Sequence, residues 1–180
     1  MDLKLRPNLY YLKVKGLSVE VTKPWIDDKK YKQDRLIEAK YEAELARRFL
    51  EDGLFRNAAG KAFQAWKALL ASLSVDYIQE LSKYFKGKRK MRDGRVVNYV
   101  EWIIALMPTS KMSNVAQILD NLLGNNIEAY TDIAIKLHEF QYNGLDKSGE
   151  ISRYTSIEFV KMDLEKLLKA IEKFLASSPP

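Results

Sequence analysis

The chain has 180 residues, 47% hydrophobic and 30% charged, with no cysteine and a single histidine. That suits one folded domain with a buried core, and it excludes disulfides, thiolate chemistry, cysteine-bound zinc and any multi-histidine metal site within one chain. The formal charge of +6 is concentrated: seven basic residues (Lys83, Lys86, Lys88, Arg89, Lys90, Arg92, Arg95) and one acid (Asp93) lie between 83 and 95, leaving 23 charges of each sign elsewhere.

In chain order, the first 22 residues read as a β-hairpin. Leu9 to Val14 and Leu17 to Thr22 flank Lys15-Gly16, and glycine takes the positive φ of a tight turn. Pairing Val14 with Leu17, Leu12 with Val19 and Tyr10 with Val21 puts every apolar pair on one face, with Lys13·Ser18 and Tyr11·Glu20 on the other. Such a hairpin is marginal alone, so its apolar face is expected to dock on helices or on another subunit. This sets residues 1–23 apart as an extension, with 24–180 as the helical domain.

From Pro24 the period becomes helical. Pro24 or Asp27-Asp28 opens a helix that carries Leu36, Ala39, Ala43, Ala46 and Leu50 at 3,4,3,4 spacing and ends at Gly53. A second helix carries Phe55, Ala58, Ala59, Ala62, Trp66, Leu69 and Leu70. Gly60 inside it costs about 1 kcal/mol relative to alanine, which predicts a close helix–helix approach there. A third helix, about Val75 to Phe85, runs into the basic segment. That segment reads as a loop, with turn signals at Lys86-Gly87 and Asp93-Gly94.

The fourth, Val96 to Met107, is apolar on most sides and stops at Pro108, so it is expected at the bundle's centre or in a subunit interface. Met112, Val115, Leu119 and Leu122 mark a fifth, ended by Gly124, and Ile127, Tyr130, Ala134, Leu137 and Gln141 a sixth. The last opens with the capping box Thr155 to Glu158 and continues through Ile157, Val160, Leu164, Leu167, Ile171 and Leu175. Seven helices with short loops predict one mainly α antiparallel bundle carrying a short N-terminal β-hairpin. The longest apolar run, Trp102 to Met107, is far short of a membrane span. Met1 to Lys15 has no signal-peptide core, so a cytoplasmic protein with no membrane partner is expected.

The basic segment is the first candidate site. Lys86, Lys88, Arg89, Lys90, Arg92 and Arg95 together suit a phosphate backbone or another polyanion. A solvated loop is the plainer alternative. His138, at the margin of the sixth helix's apolar stripe, is the candidate catalytic group, and equally a residue capping a core or a helix C-terminus. Arg56 and Asn57, in the first turn of the second helix, and Lys61 beyond them are candidate anion ligands. Tyr142, Asn143 and Asp146 begin a polar loop of the length that often binds something. Gly144 to Gly149 has phosphate-loop glycine spacing, but Glu150 stands where lysine is needed. No metal and no cofactor is expected.

Three stretches carry a resemblance. They are Phe49–Leu69 (FLEDGLFRNAAGKAFQAWKAL), Trp102–Ser110 (WIIALMPTS) and Leu137–Gly144 (LHEFQYNG). The chain from about Trp25 to its last helix resembles the archaeal PaREP family of short helical proteins, which implies a fold and an origin but carries no established activity. That family is similar in turn to HEPN domains, helical bundles of which many are dimeric RNases with an Arg, four to six residues, then His. The resemblance implies a HEPN-like bundle and a homodimer. His138 matches the motif's histidine and Phe140 its following aromatic, but Ile133 and Ala134 stand where arginine and asparagine are needed, and no arginine lies between Arg95 and Arg153. Without that cation a phosphorane at His138 loses its main charge partner. The resulting expectation is a non-catalytic bundle binding RNA, DNA or another polyanion. The alternatives are an RNase or nucleotide-binding enzyme using His138, and a structural oligomer or protein-interaction module built on the hairpin and the fourth helix.

Overall fold

In the computed structural model the described residues are 22–177 and, before them, the backbone of two short strands at 12–14 and 17–19. These strands, β1 (Leu12–Val14) and β2 (Leu17–Val19), pair antiparallel with Leu12 opposite Val19 and Val14 opposite Leu17, the register predicted from the sequence. The expected pairs Tyr10·Val21 and Tyr11·Glu20 lie outside the described residues.

Seven helices follow: α1 (Asp28–Glu51), α2 (Phe55–Asp76), α3 (Ile78–Ser82), α4 (Tyr99–Leu106), α5 (Thr109–Leu123), α6 (Ile127–Asn143) and α7 (Ile157–Ser177). Asp27 caps α1, its carboxylate accepting from the Lys30 N–H at 2.9 Å. At the other end Gly53, with φ of 73°, turns the chain into α2.

The central helix is α2, rather than the fourth, for which the bundle's centre is one of the two expected places. It packs against α1, α4, α5, α6 and α7, because Ala58, Ala59, Ala62, Ala65, Ala68 and Ala71 are all buried and let neighbours approach from several sides. Trp66 fills its middle, and its indole N–H donates to Thr131 Oγ1 on α6 at 2.8 Å. Gly60 makes room for a side chain of α6: a methyl group there would lie 2.6 Å from Gln141 Cδ. The close contact expected at that glycine is with a side-chain amide of α6 rather than with its backbone.

Three expectations need correction around the basic segment. The third helix is only five residues, α2 having run on to Asp76. The basic segment is not a loop but a second hairpin, β3 (Lys88–Lys90) and β4 (Val96–Asn98), with Lys88 opposite Asn98, Arg89 opposite Val97 and Lys90 opposite Val96. The fourth helix consequently starts at Tyr99, three residues late. The physical reason is β-branched Val96-Val97 followed by Asn98, whose N–H is accepted by the Glu101 carboxylate at 3.1 Å.

The C-terminal end of α4 shows how that helix is held in the bundle. Pro108 has no N–H and disfavours helical backbone at Met107, which turns left-handed with φ of 39°. The last carbonyls of α4 thus need outside donors. The Tyr31 hydroxyl donates to Ile104 O at 2.7 Å and Arg35 Nη2 to Ala105 O at 2.9 Å. Arg35 is itself held by Glu38, 2.5 Å away. A buried network on α1 therefore fixes the helix that carries the second hairpin.

Candidate functional site

The β3–β4 hairpin is a two-stranded ribbon of cations. Gly87, with φ of 98°, admits the chain into it, and the Tyr99 N–H closes its base on Gly87 O at 2.9 Å. The turn at the far end is tied by the Met91 N–H to Arg95 O at 2.7 Å and the Gly94 N–H to Met91 O at 3.1 Å. Alternation then sorts the side chains. Arg89 and Val97 share the inward face: Val97 is buried, and the Arg89 guanidinium lies 3.7 Å over the Trp102 ring. Trp102 stacks in turn on Tyr99, with centroids 5.8 Å apart. Lys88, Lys90 and Val96 fall on the outward face.

All six cations assigned from the sequence to nucleic acid, Lys86, Lys88, Arg89, Lys90, Arg92 and Arg95, are exposed. Arg95 is engaged by Asp93 Oδ2 at 2.6 Å, which holds the Asp93 carboxyl below its ordinary value. Lys86, Lys88, Lys90 and Arg92 have no carboxylate partner among the described residues. The cluster is thus an exposed positive hairpin rather than a loop.

His138 lies elsewhere, in contact with two aromatic rings. Its ring stacks on Phe63 at 4.0 Å and meets the Tyr142 edge at 5.2 Å, and its buried Nδ1 has no hydrogen-bond partner. Burial pushes its pKa down, while Gln141 opposes this and the Lys67 charge adds to it. A depressed folded pKa means that the unfolded chain binds the proton more readily. Its contribution to stability is therefore full above about pH 6.5 and declines as pH falls through the folded value. As the chain's single histidine it gives one imidazole NMR titration, whose midpoint is expected below 6.5; a midpoint at or above that value would contradict the packing.

The candidate ligands are drawn into structural bonds. Arg56 Nε donates to Gln141 O at 2.8 Å and Nη2 to Tyr142 O at 2.5 Å, so this cation caps the C-terminus of α6. Lys61 Nζ sits 2.8 Å from Glu42 Oε2. Burial raises the Glu42 pKa, against the pull of Lys61. Asn143 donates to Ile151 O at 2.5 Å, and Asp146 accepts from the Ser148 N–H at 2.9 Å and the Ile151 N–H at 2.8 Å. Those bonds hold the Asp146 carboxyl well below the usual range and order the loop. Asn57 and Tyr142 remain exposed. Arg56 is thus brought to the Tyr142 backbone, but these residues do not converge on one ligand.

Sequence reasoning missed Tyr84 and the Arg89–Trp102 stack. The signal for Tyr84 was an aromatic residue inside the run Lys83-Tyr84-Phe85-Lys86. For Arg89 it was the alternation of a strand hidden in a segment taken for loop. Among the described residues no group of three or more His, Asp or Glu is placed to hold a metal, and no helix is long and apolar enough to cross a membrane.

A sequence model of the archaeal PaREP1/PaREP8 family matches residues 34–175. Neither the curated proteins nor the solved structures offer a match to the chain.

Proposed function

The chain belongs to the archaeal PaREP1/PaREP8 family, and with the cationic ribbon added to that premise we propose that it is a non-catalytic nucleic-acid-binding protein. The observation that carries the reading is the ribbon itself, an exposed two-stranded hairpin of five cations and one acid that, with Lys83 and Lys86 just before it, accounts for the chain's entire net charge. Phosphate contacts by lysine and arginine release condensed counterions and dominate sequence-independent affinity. A two-stranded ribbon also matches the width of a major groove, and its flank can follow a single strand.

The bundle is read as HEPN-like and as lacking RNase chemistry. Where the motif's arginine is needed the chain has Ile133, packed against the core, and His138 is held against two rings. Neither feature supports cleavage at that position. Homodimerisation, implied by the same resemblance, belongs to the proposal; sedimentation is expected to give twice the 20.9 kDa chain mass, and a single monomeric species would contradict it. A cytoplasmic location is part of the same reading.

The test is an anisotropy titration of labelled RNA and DNA at several salt concentrations, with the bound RNA run afterwards on a gel. Intact RNA and affinity falling steeply with salt are expected, with a slope near −0.9 per neutralised phosphate for duplex DNA and about −0.7 for single strands. Shortened RNA would favour the enzyme. Absence of binding at low salt would end the proposal.

A further inference from the structure

At the foot of the ribbon, between α3 and the start of α4, lies a cleft of about 440 Å³ lined by Gln79, Ser82, Phe85, Lys86, Asn98 and Glu101 among others. Its volume is within the roughly 300–1,000 Å³ of small-ligand sites. Gln79 brings an amide able to donate and accept, Phe85 brings a ring, and Asn98 and Glu101, which cap α4 through each other's backbone N–H, bring an amide NH2 and the remaining lone pairs of a carboxylate. A carboxylate repels phosphate, whereas it accepts readily from a base's amino group. The cations that suit phosphate are Lys86 in the lining, with Lys83 and Lys88 close to it along the chain.

Tyr84 immediately precedes Phe85 and is 69% exposed, between Lys83 and Lys86. Its ring has no aromatic or cationic partner among the described residues. An exposed aromatic ring is of little use to a duplex, whose bases stay stacked and paired. It does suit unpaired bases, which stack on side-chain rings and offer their edges to amides.

We infer that the nucleic acid bound by the ribbon is single-stranded, one base stacking on Tyr84 and a neighbouring base entering the cleft beside Phe85, with phosphates along Lys83, Lys86 and Lys88. This rests on the nucleic-acid reading above and specifies its substrate class.

The experiment titrates the full chain with labelled RNA and DNA single strands of about 16 nucleotides, the upper end of single-strand site sizes, and with the matching duplexes. Single strands of at least one kind are expected to bind at least about tenfold more tightly than duplex. Tyr84→Ala is expected to weaken single-strand binding about 5- to 150-fold, the worth of one stacked base. Tyr84→Phe should bind as the parent does, and duplex binding should be the same in all three proteins. Because Tyr84 is exposed, neither substitution threatens the fold. Duplex and single strand bound equally, with Tyr84→Ala silent, would overturn the single-strand inference while leaving the ribbon as the contact. Failure of every probe to bind would remove the underlying reading with it.

Discussion

Replacing Arg35 with alanine is expected to lower the free energy of unfolding by about 3–5 kcal/mol, the range for breaking a buried ion pair from one side. The side chain holds three partners at once: Glu38 Oε2 at 2.5 Å, the Tyr31 hydroxyl at 2.9 Å and Ala105 O at 2.9 Å. Its own side chain is 16% exposed and that of Glu38 6%. Truncation therefore leaves a buried carboxylate without its cation and a helix-terminal carbonyl without its donor. Urea unfolding followed by circular dichroism reads the loss. The double variant Arg35→Met/Glu38→Met is expected to recover most of it, since replacing both members of a buried pair by apolar groups of similar volume is often near neutral. A loss under about 1 kcal/mol in the single variant would mean that the network is dispensable. Because Tyr31 and Arg35 hold the end of α4, the single variant should also loosen the ribbon's base and weaken nucleic-acid binding.

The second large effect is electrostatic. Lys88→Glu, Lys90→Glu and Arg92→Glu together shift the charge by two units each, taking the formal total from +6 to 0. These three are chosen over Arg89 because Arg89 packs on Trp102. Removal of three phosphate contacts should reduce the magnitude of the salt slope by about 2 on single strands and about 2.7 on duplex DNA. At low salt, affinity should fall on the order of 100-fold or more, since like charges now face the backbone. Net charge alone is controlled by Lys166→Glu, Lys169→Glu and Lys173→Glu, three exposed positions on α7 that change the total by the same amount. That control is expected to keep most of the affinity. Equal losses in the two triple variants would mean that overall charge, rather than the ribbon, governs binding.

How much of this was legible in the sequence varies with the physics involved. Helix existence was readable wherever a stripe at 3,4 spacing met a stop signal, as at Leu36 to Leu50 before Gly53 and Met112 to Leu122 before Gly124. Gly60 was readable too, because a glycine inside a good helix needs a packing reason. The boundary between the third and fourth helices was not. There, short apolar runs on either side of a polar segment fit a helix or a strand equally, and only the pairing of Lys88–Lys90 with Val96–Asn98 decides between them. Which helix is central was also hidden: the apolar Val96 to Met107 stretch drew attention, yet the alanines of α2 admit more neighbours than its larger side chains do. At the site, the charge cluster could be counted in advance, whereas the engagement of Arg56 by α6 carbonyls and of Lys61 by Glu42 depends on long-range packing that composition does not encode.

The most direct measurement is photo-crosslinking of a thiouridine-containing single-stranded RNA to the full protein at low salt, with the crosslinked peptides mapped by mass spectrometry. Crosslinks confined to residues 83–102, the ribbon with its flanking Tyr84 and Trp102, are the expected result. Crosslinks centred on His138 and α6, or a protein that takes up no RNA at low salt, would contradict the account.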